Sequence, residues 1–132
     1  NLRKQLTYGS VADLHPSWSP DRKKIAFSST ESGNTEIWVM DSDGGNRRQL
    51  TTRAGLNLSP CWSPDGNWIA FSSAGDIWAM KADGTEQRAL TEWNLFVTKE
   101  NPSWSSNGRK IAFDSNKGGT RDIWILLLIK EE

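Results

Sequence analysis

The sequence predicts an all-β protein, a β-propeller segment of four-stranded antiparallel blades with three blades in the chain. Three observations predict it. A block of motifs recurs at spacings of 44 and then 42 residues, counted from Trp18 to Trp62 to Trp104. Within each block the apolar runs are short, rich in Ile, Val, Phe and Trp, and bounded by turn residues, as strands require. No stretch repeats its apolar residues at helical spacing, which sets aside stacked helix pairs. Repeats of about 40–45 residues with four strands each are the signature of propeller blades.

The elements follow in chain order. Residues 2–7 end in Gln5-Leu6-Thr7, and the pattern returns in Gln49-Leu50-Thr51 and Ala89-Leu90-Thr91. Each is read as an outermost strand. The innermost strand is carried by His15-Pro16-Ser17-Trp18, Ser59-Pro60-Cys61-Trp62 and Asn101-Pro102-Ser103-Trp104. A turn follows, clearest in Ser63-Pro64-Asp65-Gly66, where proline presets φ at the second position and glycine closes a type I turn. The second strand is Ile25-Ala26-Phe27, Ile69-Ala70-Phe71 and Ile111-Ala112-Phe113. A loop of variable length, marked by Gly33-Asn34, Gly75 and Gly118-Gly119, leads to the third strand. That strand holds Glu36-Ile37-Trp38, Asp76-Ile77-Trp78 and Asp122-Ile123-Trp124. Asp43-Gly44 and Asp83-Gly84 then mark hairpin turns. The whole of 1–132 reads as one propeller segment, with units of approximately 5–48, 49–88 and 89–129. Six of the eight tryptophans sit at repeat positions, and these aromatics, with the repeated Phe, are read as packing between blades.

Composition narrows the function classes. Sixteen basic and sixteen acidic residues leave no net charge, and no Lys/Arg cluster offers a footprint for nucleic acid. Cys61 is the one cysteine, so the chain forms no internal disulfide, and it reads as a small buried hydrophobe. The longest apolar run, Ile123 to Ile129, falls far short of the roughly 20 residues of a membrane span. No signal-peptide pattern is recognised at the N-terminus.

No catalytic constellation emerges, no residues are assigned as metal ligands, and no cofactor is expected. The one histidine, His15, would have to serve any Ser-His-Asp triad, and no Gly-x-Ser-x-Gly elbow accompanies it. Asp41-Ser42-Asp43-Gly44 lacks the glycine and distal acid of an EF-hand loop, because Asn46 and Thr52 stand at those positions. The plainer reading of His15 is a polar residue opening the innermost strand. The functional reading puts it at the mouth of a central channel with its equivalents Ser59 and Asn101, with Asp13, Asn57 and Lys99 nearby and Glu100 between them, where a small polar ligand, a metal or a peptide end could bind. Trp93 and Phe96 lie in the longer connection outside the repeat, as a candidate hot spot for a partner.

The phrase Pro-x-Trp-Ser-Pro-Asp-Gly, then Ile-Ala-Phe, Ile-Trp-x-Met and Asp-Gly, resembles the WD-like repeat of the TolB-like propeller family. The resemblance runs over nearly the whole chain, in three concurring copies. It is not uniform: Arg22 replaces the turn glycine in the first copy, Ser106-Asn107 replaces Pro-Asp in the third, and Ile125 to Lys130 replaces the third copy's last hairpin. The same repeat builds propellers in prolyl-oligopeptidase-like and tricorn-like peptidases and in oligogalacturonate lyases. The resemblance implies the fold firmly, and function only loosely. It suggests a periplasmic setting and protein partners. The lyases' metal, held partly by several histidines, is poorly matched by a single histidine.

Three blades do not close a ring, since propellers have roughly 4–8. The expectation is a homodimer that makes a six-bladed ring, in which strand 2–7 of each chain completes the third blade of the other. The function expected is a non-enzymatic scaffold for a protein or peptide. The alternative is the propeller portion of a larger enzyme, acting as gate or substrate cradle.

Overall fold

In the computed structural model, residues 1–53, 55–92 and 94–129 are described. Their regular structure is entirely β. The first sheet comprises β1 (Asp13–Trp18), β2 (Lys24–Ser29), β3 (Glu36–Asp41) and β4 (Arg48–Gln49), hydrogen-bonded in that order. The second repeats it with β5 (Asn57–Trp62), β6 (Trp68–Ser73), β7 (Asp76–Lys81) and β8 (Arg88–Ala89). The third holds β9 (Lys99–Trp104), β10 (Lys110–Ser115) and β11 (Asp122–Leu127). All pairings are antiparallel. The three innermost strands β1, β5 and β9 stand side by side.

The turns form for the reasons the sequence supplies. Gly66 N–H donates to Ser63 C=O at 3.0 Å, closing the Ser-Pro-Asp-Gly turn. Asp65 holds it from within, accepting from Ser63 Oγ at 2.6 Å and from Asn67 N–H at 3.0 Å. The last turn position is left-handed in all three blades, and Arg22 adopts it at φ 62° where Gly66 and Gly108 do so without a Cβ.

The second strand shows why the blades stack. β2 and β6 are buried at five consecutive positions, not at alternate ones, because each is covered on both faces. Ala26, Ile37, Val39 and Leu50 of the first blade pack with Trp62, Ile69, Phe71 and Met80 of the second. Ala70 and Ile77 of the second pack with Ile111 and Phe113 of the third. Each fully buried Ile or Phe contributes about 1.5–3 kcal/mol relative to an exposed one.

The faces at the two ends of the stack differ from the inner ones. Ile123 of β11 is 77% exposed, whereas its equivalents Ile37 and Ile77 are 0% exposed. Ile125 is 59% exposed against 4% for Val39 and 3% for Ala79. On the first blade, Ile25, Phe27 and Met40 are covered by Leu6 of the N-terminal segment. The segment 2–7 forms no strand here. It nonetheless lies where an outermost strand lies on the next blade: a Cβ on Gly44 would come 2.9 Å from Leu6 O, and one on Gly84 would come 3.1 Å from Leu50 O.

Candidate functional site

Each innermost strand begins with the same distortion. His15, Ser59 and Asn101 take left-handed backbones, with φ of 52°, 54° and 54°, and each precedes a proline. The pairing register with the second strand slips at this point in every blade. A non-glycine residue in that region costs on the order of 1–3 kcal/mol and is held only by its surroundings. Three such residues at equivalent positions therefore form a row that the fold keeps in place.

Their side chains join a hydrogen-bonded line across the blades. His15 Nδ1 lies 3.4 Å from Ser28 Oγ, and Ser28 Oγ accepts the Ser59 backbone N–H at 3.2 Å. Ser59 Oγ donates to Asn101 Oδ1 at 2.9 Å, and Asn101 Nδ2 donates to Asp114 Oδ2 at 2.6 Å. Arg121 continues the line, with Nε 2.6 Å from Asp114 and a terminal nitrogen 2.6 Å from Glu100. His15 and Asn101 are exposed and Ser59 is half-buried, so one edge of the line is open. It mixes donors, acceptors, two carboxylates and a guanidinium, which suits recognition of a polar ligand. Ser28 is fully buried, and its oxygen already accepts an N–H, so it does not present an open nucleophile beside His15.

The structure brings His15, Ser59 and Asn101 together but turns Asp13, Asn57 and Lys99 elsewhere. Strand alternation would put residues two apart on one face. The left-handed backbone at the second of each pair breaks that rule; Asn57 and Lys99 enter the seams between blades, and Asp13 takes the same position on the outer face of the first blade. Asn57 is 0% exposed and donates Nδ2 to Glu36 at 2.9 Å. Lys99 Nζ contacts Asp76 at 2.8 Å and also donates to Glu92 C=O. Asp13 receives both terminal nitrogens of Arg47 at 3.2 Å. Burial pushes the Asp13 carboxyl up, but these hydrogen bonds outweigh it and hold it below its ordinary value. Of the six residues expected together, His15, Ser59 and Asn101 share the line, with Ser28, Asp114, Glu100 and Arg121, and the other three do not.

Asp114 was findable in the sequence, since it replaces Ser28 and Ser72 at one repeat position. Arg121, in a loop of variable length, carried no such signal. Phe96 is 84% exposed in its connection, next to exposed Leu95, and Trp93 lies outside the described residues. Cys61 is only half-buried, and burial pushes its thiol up. The repeated aromatics divide: Phe27, Phe71, Phe113 and Trp62 are core, whereas Arg47 lies over Trp38, Arg53 over Trp78 and Lys117 over Trp124. At the other end of the innermost strands, grooves of about 530 and 980 Å³ follow the repeat, lined among others by Trp62 and Trp104. Among the described residues, no group of three His, Cys, Asp or Glu side chains gathers as a metal site. Asp41 is engaged by Lys24 and Asn46, and Asp43 accepts the Gly45 N–H, as a hairpin turn requires.

The TolB beta propeller domain family matches residues 4–129. Among solved structures, TolB from Acinetobacter baumannii is similar, with 27% identity and a TM-score of 0.78 over 92% of this chain and 31% of that one. A TolB-assigned protein of Agrobacterium tumefaciens has 26% identity and a TM-score of 0.77, over 90% of this chain and 46% of that one. A puromycin-hydrolyzing peptidase of Mycobacterium tuberculosis shares the fold at 18% identity and a TM-score of 0.72, over 92% of this chain and 23% of that one. No curated protein sequence matches the chain. The chain spans less than half the length of each of these structures.

Proposed function

We propose that this chain, which belongs to the TolB beta propeller domain family, is a non-enzymatic scaffold that offers the mouth of its innermost strands to a protein or peptide. The observation that carries the reading is the line from His15 through Ser59 and Asn101 to Asp114, built on three left-handed residues and open along one edge. Such a site is preorganised, so a ligand loses little in ordering it. The exposed Leu95 and Phe96 add an apolar contact for a larger partner.

The scaffold works as two copies. Three blades leave apolar faces that their equivalents bury, above all Ile123 and Ile125, and six blades make a ring within the range propellers adopt. The exchanged element is the segment 2–7, whose Leu6 sits on Gly44 as Leu50 sits on Gly84. A second reading, the propeller portion of a larger enzyme, draws support from the small share of the peptidase chain that the likeness covers.

The test uses peptides selected on the wild-type chain from a displayed random library. His15→Ala combined with Asn101→Ala should weaken the selected peptides at least tenfold, while circular dichroism and a cooperative thermal transition show that the double variant still folds. Undiminished binding by that double variant would remove the mouth as the site.

A further inference from the structure

Neighbouring blades are fastened by one three-part clasp, used twice. Glu36, opening β3, is 2% exposed and accepts hydrogen bonds from Thr51 Oγ1 and, at 2.9 Å, from Asn57 Nδ2. Asp76, opening β7, accepts from Thr91 Oγ1 at 2.7 Å and meets Lys99 Nζ at 2.8 Å. In both clasps the threonine oxygen also accepts the next strand residue's N–H, from Ile37 at 2.9 Å and Ile77 at 3.0 Å. The carboxylate comes from one blade's third strand, the threonine follows that blade's fourth, and the third partner opens the next blade. That partner is a neutral amide in one clasp and an ammonium in the other.

The two end faces carry the separated halves of a third clasp. Asp122, exposed at the start of β11, holds the position of Glu36 and Asp76. Thr7, next to the Leu6 that sits on Gly44, holds the repeat position of Thr51 and Thr91, and Asp13 holds that of Asn57 and Lys99. When a second copy closes the ring, as proposed above and on which this inference rests, Asp122 of one copy meets Thr7 and Asp13 of the other. Here the third partner is an acid, and two carboxylates face each other in a seam that buries its equivalents.

We infer that ring closure between two copies is proton-linked, each Asp13–Asp122 pair closing around one proton taken from solvent, so that acid favours the ring and base opens it. Adjacent carboxylates at hydrogen-bond distance cannot both stay ionised in a buried site. Arg47 compensates Asp13 and its hydrogen bonds hold that carboxyl below its ordinary value, so the charge of Asp122 is the one left without a cation. On the Asp13 side, among the described residues, Arg47 is the cation in contact and also serves Glu31 at 2.7 Å, with Thr7 and Ser29 alongside. On the Asp122 side Thr120 donates at 3.0 Å, while Arg121 is engaged by Glu100 and Asp114 and Lys117 lies over Trp124. Closure therefore sets three carboxylates against one guanidinium. Glu36 points the same way, because burial pushes its carboxyl up despite hydrogen bonds from Thr51 and Asn57.

The experiment follows molar mass by sedimentation equilibrium from about pH 5 to pH 8, where a raised carboxyl would titrate. With one proton at each of two seams, wild-type association should weaken by up to about a hundredfold per pH unit within its transition. Asp122→Asn, whose amide oxygen can still accept from Thr120 in the single chain, should assemble with little pH dependence, copying the amide of the first clasp from the other side. Asp13→Asn and Asp13→Lys should do the same, copying Asn57 and Lys99, with circular dichroism checking that release of Arg47 leaves the fold intact. Wild-type association of equal strength across the range overturns the proton linkage and leaves the two-copy reading in place. So does a wild-type slope that all three variants retain. Single-chain mass for wild type and variants at every pH overturns the two-copy reading itself, and this inference with it.

Discussion

Glu36 and Asp76 are the buried carboxylates among the described residues, and Glu36 has no cation beside it. Burial raises its carboxyl above the ordinary 4.5, so its folded form favours the proton more than the unfolded chain does. Its contribution to stability is full below 4.5 and is lost as pH rises through the folded value. Asp21 and Asp65 act in the opposite sense. Hydrogen bonds from Ser19 and Ser63 hold them below 3.8, so their contribution is present above 3.8 and is lost as pH falls through their folded values. In urea unfolding of wild type and Glu36→Gln between about pH 4 and pH 8, the glutamine chain should gain on the wild type as pH rises. Parallel profiles would show that Glu36 stays ionised in the seam at no cost.

At the scale of elements, the short turns decide how closely one blade can approach the next. Gly84→Ala combines a φ of +90° with a Cβ 3.1 Å from Leu50 O, and should cost about 1–3 kcal/mol in thermal or urea unfolding. Gly33→Ala, at φ +95° with no neighbour within 4 Å, is the control that reports backbone strain alone. A Gly84→Ala cost no larger than the Gly33→Ala cost would mean that the Leu50 contact gives way freely. These elements were largely legible in the sequence. The motifs around Trp62, Phe71 and Trp78 gave the strands, and Ser63-Pro64-Asp65-Gly66 gave the turn. What stayed hidden is the left-handed backbone at His15, Ser59 and Asn101. A residue before proline is normally pushed to extended conformations, and nothing local announces the exception. For that reason strand alternation would set Asp13, Asn57 and Lys99 beside His15, Ser59 and Asn101, whereas Asn57 and Lys99 bond across the seams and Asp13 bonds to Arg47 of its own blade. Arg121 was illegible for another reason: its contacts with Glu100 and Asp114 depend on the path of a loop that no other blade repeats.

At the scale of the whole chain, the blades form a stack in which one isoleucine position meets two different surroundings. Ile77→Ala removes a side chain sealed between two blades and should cost about 2–5 kcal/mol in the single chain. Ile123→Ala, at the same repeat position but 77% exposed, should change the single chain by no more than about 0.5 kcal/mol. Ile123→Lys should then leave the single chain folded while abolishing the two-chain species in sedimentation. A two-chain species that survives Ile123→Lys would locate the contact on another face.

The clasp also bears on how such a chain changes length over time. Glu36 and Thr51 belong to one blade and Asn57 is the first strand residue of the next, as Asp76 and Thr91 belong to one blade and Lys99 opens the next. Each fastening is therefore encoded across a single boundary and needs nothing from distant parts of the gene. A tandem duplication of one unit copies a carboxylate and threonine at one end and a matching first residue at the other, so the newcomer arrives already able to bond to both neighbours. Lineages built from this unit can add or drop blades by unequal recombination without inventing a new interface.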